Sequence, residues 1–173
     1  MNKALLQQRI LEQLGSDLQI AQRAAQTAYE AATDKANIAE NKYDTLGLEA
    51  SYLAAGQARR LAEIQQALLA LQQLPLSDFD PQRGIQLGAL VLLADAADQR
   101  RWLLLAPDAA GLKIIDGERE IMLITPHSPI GQRLLGQAPG AEFELKVATT
   151  RCSSLRCCRC SEPQCDTQHK SHA

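Results

Sequence analysis

Apolar residues recur every three or four positions along the first part of the chain. Leu11, Leu14, Leu18, Ala21, Ala25, Ala28 and Ala32 alternate in those steps, the spacing that keeps one seam of a helix turned toward a partner. Ala50, Ala54, Gln57, Leu61, Ile64, Leu68 and Leu71 repeat it. No proline occurs in residues 1–74, and Ala, Leu, Gln and Glu dominate, so nothing breaks either helix. Two helices of similar length on either side of a short reversal predict an antiparallel hairpin, each arm roughly 40–50 Å long at 1.5 Å per residue. The seam is graded. Leucine and isoleucine hold the open end, whereas alanine holds the end near the reversal, where small side chains let the backbones approach and keep the hairpin slender. By itself such a coiled coil is more often a spacer or dimerisation element than a probe.

The pattern changes at LQQLPLSDFDPQRG. Beyond it come short apolar runs, IQLGALVLLADA, RRWLLLAP, GLKIID, EREIMLITP and EFELKVATT, divided by Gly, Pro and Asp. These predict a small, mostly antiparallel sheet. Set among them is PHSPIGQRLLGQAPG, in which Ser128 caps a short helix, Pro129 takes its first position and Gly136 ends it. Ile130, Leu134 and Leu135 are the residues expected to bury that helix against the sheet. The predicted organisation is therefore α+β: a helical hairpin over 1–74 with its tip near 40–49, a linker over 75–83, a sheet domain over 84–150, and a tail over 151–173.

Charge changes this picture at the tip. Glu30, Asp34, Glu40, Asp44 and Glu49 face only Lys35 and Lys42 across residues 30–49. Asp44, Thr45, Leu46 and Gly47 read as the reversal, with the Asp side chain as acceptor and Gly free to take a positive φ. Carboxylates crowded on an exposed tip repel one another and favour a cation or a basic partner. A hard ion such as Mg²⁺, which takes oxygen ligands and keeps some water, suits them. Elsewhere the totals exclude more than they suggest. A formal charge of -2 on 173 residues gives no bias toward nucleic acid or membrane. The opening MNKALLQQRILEQLGSDLQ lacks the apolar core of a signal peptide, which makes the cytoplasm the expected location. All the cysteines, Cys152, Cys157, Cys158, Cys160 and Cys165, lie in the tail, which argues against a secreted disulfide framework. With His169 and His172 they offer soft ligands for Zn²⁺, although CCRC is not a paired CxxC arrangement; a disordered tail or an altered ending is the competing reading. There is no Gly-rich phosphate loop, and all three histidines, His127 included, lie away from the tip.

The run SPIGQRLLGQ, residues 128–137, resembles the signature of the C-terminal domain of the bacterial Gre (GreA/GreB) transcript-cleavage factors, a domain of FKBP-like fold. LEASYLAAGQARR is similar to the start of the Gre second helix, and the order of parts matches over about residues 5–150. The resemblance implies a transcription elongation factor that binds bacterial RNA polymerase through its C-terminal domain, probes the secondary channel with its coiled coil as a monomer, and brings tip carboxylates to the RNA 3′ end of a backtracked complex. There those carboxylates help to hold a second Mg²⁺, and the polymerase cleaves its own transcript; the factor is at most a stimulator of that activity. One departure stands at the tip. The family carries an Asp followed three residues later by a Glu, whereas three residues after Asp44 comes Gly47, and Glu49 is five away. Aligning on Tyr52 instead puts Thr45 and Leu48 at the acidic positions. Asp44 and Glu49 are the candidate pair, with Glu40, one helical turn before Asp44, in reserve. A Gre-like regulator that occupies the same channel without promoting cleavage is the alternative. Arg59 and Arg60, beyond the tip, are read as a solvated basic pair.

Overall fold

A computed structural model describes residues 2–33, 46–75, 79–95, 99–147 and 150–158. It divides the chain into two units, one of Gln7–Gln72 and one of Met1–Leu6 with Gln73–Ala173. Helix α1 spans Lys3–Thr33 and α2 spans Leu46–Gln72. Asn2 starts α1 as its cap, its Oδ1 accepting from the backbone N–H of Ala4 at 3.0 Å, which satisfies a donor with no partner inside the helix.

Within the first unit the expected seam is the buried one. Every predicted seam position on both helices is buried or half-buried, and Leu14, Ala21 and Ala28, seven residues apart, are its most enclosed members beyond Ile10. On α2 the same role falls to Ile64, Ala67 and Leu71. The antiparallel sense is fixed by a hydrogen bond between the start of α1 and the end of α2: the Gln7 side-chain N–H donates to the Leu71 carbonyl at 2.8 Å, satisfying one of the last carbonyls of α2. The outer faces are polar and locally braced, for example by Gln8 to Glu12 and Gln13 to Asp17, pairs one turn apart that each add a few tenths of a kcal/mol, about 0.2–0.5. Among the described residues no helix is long and apolar enough to cross a membrane.

The second unit is a sheet with one short helix. Its strands are β1 Leu90–Ala94, β2 Arg100–Leu105, β3 Lys113–Asp116, β4 Arg119–Ile124, β5 Glu142–Val147 and β6 Thr150–Cys158, with α3 Pro129–Leu134 between β4 and β5. The order across the sheet is β3-β4-β2-β1-β6-β5. All neighbours are antiparallel except β2 and β4. That exception follows from the β3–β4 hairpin, which turns at Gly117 with φ +65° and folds β4 inward between β3 and β2, so that β4 runs the same way as β2. One face carries Val91, Leu93, Leu103, Leu105 and Ile124 in a cluster with Ile85 and Leu134. The alternate residues Leu90, Leu92, Leu104, Ile121 and Leu123 are buried too, which explains why LVLLA is apolar throughout instead of alternating.

Two expectations are corrected here. The sheet was expected to end at Thr150, yet β6 continues through Cys158 and pairs with both β1 and β5. Ladder hydrogen bonds are made by the main chain, which every residue but proline supplies, so a polar, cysteine-rich composition hid a strand that the free edge of β1 accepts. Leu135 was expected to bury α3; it is 40 % exposed. The helix stops at Leu134, and Leu135 serves as its C-cap, turning its side chain out of the face that Ile130 and Leu134 share.

Candidate functional site: the helical tip and the α3 clasp

The tip is described only at its two shoulders. Asp34, Glu40 and Asp44, with Lys35 and Lys42, lie outside the described residues, so Asp44 and Glu49 are not seen together. On the α1 side, Glu30 is exposed and accepts from the Gln26 side chain at 2.6 Å. On the α2 side, Glu49 is exposed in the first helical turn, where the partial positive charge of the helix start favours a carboxylate. Gly47 was expected in the reversal, but it already belongs to α2. Its flexibility costs little at a helix end, since only interior positions carry the full penalty of about 1 kcal/mol, and Ser51 Oγ donates to the Gly47 carbonyl at 2.8 Å inside the helix. The helix therefore starts early enough to put Leu48 and Tyr52 one turn apart. Both point outward, 56 % and 71 % exposed, with Leu53 exposed beside them. The alignment anchored on Tyr52 singled out position 48 but not its exposure. Arg59 and Arg60 both reach the carboxylate of Glu63, at 3.0 and 3.7 Å, on an exposed face; such pairs contribute little, in keeping with the solvated reading.

The SPIGQRLLGQ segment is a built object in the sheet unit. Ser128 does two things with one hydroxyl: it accepts from the Gly131 backbone N–H at 3.0 Å and donates to the Thr125 carbonyl at 2.7 Å. Pro129 occupies the first turn, where its missing N–H costs nothing. Gly131 is packed so closely over the Thr125 carbonyl that a Cβ there would collide with it. Leu134 is fully buried, and Ile130 packs against the same cluster. At the far end the Leu135 N–H donates to the Gly131 carbonyl at 3.1 Å, and Gly136 takes φ +73°, which lets the chain reverse. It then meets residues 84–85. Ile85 and the segment after α3 exchange two backbone hydrogen bonds, Gly136 N–H to the Ile85 carbonyl at 2.8 Å and Ile85 N–H to the Gln137 carbonyl at 2.9 Å. Gly84, at φ +68°, is required because a side chain would strike the Gly136 carbonyl. Sequence reasoning missed Thr125, Gly84 and Ile85 as parts of this clasp; Gly84 at the end of a turn was the one available signal.

Cys152, Cys157 and Cys158 fall on β6, where Cys157 pairs with Leu93 and Cys158 with Leu92 in the ladder to β1. Cys160, Cys165, His169 and His172 lie outside the described residues, and among the described residues no group of three or more His, Cys, Asp or Glu is placed to hold a metal ion. His127 is exposed; its carbonyl accepts from the Gln132 side chain at 3.2 Å. A further pairing that sequence did not announce is Arg119 over the Trp102 ring, 5.1 Å from its centroid.

No protein-family model matches the chain, and no curated protein matches it. Among solved structures it is similar to GreA factor homolog 1 (Gfh1) of Thermus thermophilus, at 20 % identity over 86 % of this chain and 92 % of that one, with a TM-score of 0.35. It is likewise similar to Gfh1 of Thermus aquaticus, at 19 % identity over 86 % and 91 % with a TM-score of 0.35. Another structure of the transcription factor Gfh1 gives 21 % identity over 84 % and 89 %, with a TM-score of 0.34. At these TM-scores the likeness carries no argument about what the chain does.

Proposed function

We propose that the chain is a Gre-type factor of bacterial RNA polymerase, which docks through its sheet domain and enters the secondary channel with its helical hairpin as a cytoplasmic monomer. The observation that carries this reading is the α3 clasp. The residues that resemble the Gre signature are those with defined work in the fold: Ser128 as cap, Pro129 at the first turn, Gly131 against Thr125, Leu134 in the core and Gly136 at the reversal. They come with a hairpin whose seam turns from leucine to alanine toward an acidic stretch, small side chains that suit a narrow pore.

In this proposal the chain is no enzyme of its own; it assists the polymerase in cleaving a backtracked transcript. Phosphodiester hydrolysis at a two-metal centre requires oxygen ligands and a positioned water more than a nucleophilic side chain. Exposed carboxylates are suitable donors for Mg²⁺; when bound, that ion polarises the attacking water and the scissile phosphate. Asp44 and Glu49, with Glu40 in reserve, would share it with carboxylates of the polymerase. The α2 start presents Glu49 to solvent.

A second reading, a channel-binding regulator that does not promote cleavage, is favoured by one observation. In the register set by Tyr52, the position where the family has its glutamate holds Leu48, exposed on the outer face of α2. An RNA cleavage assay on a backtracked elongation complex separates the two. Cleavage that depends on Asp44 and Glu49 supports the first reading, and binding without cleavage supports the second. In the latter case Thr45→Asp with Leu48→Glu is expected to confer cleavage. Failure to bind polymerase at all overturns both.

A further inference from the structure

We draw no further inference here: the strongest candidate, the exposed apolar patch of Leu48, Tyr52 and Leu53 on the first turns of α2, carries nothing because nothing in the structure shows what covers it.

Discussion

Gly131 has no room for a side chain, and its neighbour Ser128 spends one hydroxyl on two backbone groups. Gly131→Ala must therefore push α3 away from the Thr125 carbonyl, an overpacking cost of about 1–3 kcal/mol. Ser128→Ala removes a helix cap for about 1 kcal/mol. Chemical denaturation followed by Trp102, the only tryptophan and a residue of β2, is expected to rank Gly131→Ala as the more damaging. On the cleavage reading proposed above, the double variant Asp44→Ala, Glu49→Ala removes two oxygen ligands and is expected to lower transcript cleavage by more than the roughly 10–100-fold typical of losing a group that only supports a metal's ligands, with polymerase binding unchanged. Equal cleavage by variant and wild type would remove these carboxylates from the mechanism. At this scale the sequence announced the roles of Ser128, Pro129 and Gly136, because capping chemistry is local. It did not announce Gly131, whose constraint comes from a carbonyl on the segment before the helix.

The helices are built from repeats that sequence alone makes legible. Ile64 is buried on the seam and Leu69 is 59 % exposed, although both are large aliphatic residues on one helix. Ile64→Ala is expected to cost about 2–5 kcal/mol, whereas Leu69→Ala is expected to stay within about 0.5 kcal/mol; urea midpoints of the two variants, read by helical circular dichroism, check the assigned face. Gly15 and Gly56 lie inside α1 and α2 with open space where a Cβ would go. Gly15→Ala and Gly56→Ala are each expected to raise stability by about 0.5–1 kcal/mol, seen as a higher melting temperature. A decrease at either site would mean that the helix face there is occupied. The strands were legible differently: their existence followed from apolar runs between turns, but β6 was hidden by its composition.

Taken as a whole molecule, the sheet depends on a segment far along the chain. β6 lies between β1 and β5 and is the only described strand that joins β5 to the rest. A chain ending at Thr149 would leave β1 with an unpaired edge and β5 with no neighbour, exposing backbone groups that the folded sheet satisfies. Such a truncation is expected to abolish the cooperative unfolding transition reported by Trp102. A transition unchanged in midpoint and steepness would show that residues after Thr149 are dispensable to the sheet.

The sequence by itself determined the two helices, the face by which they pair, the start and stop of α3, and the strands β1 to β5. Each of these is written in a period of 3.6 or 2, or in a cap residue beside the element it ends. Tertiary structure alone decided the parallel placement of β4 beside β2, the insertion of β6, the outward turn of Leu135 and the closure of α3 on Ile85. These are set by which backbone edges and which faces remain unfilled once distant segments meet, and no local pattern records that.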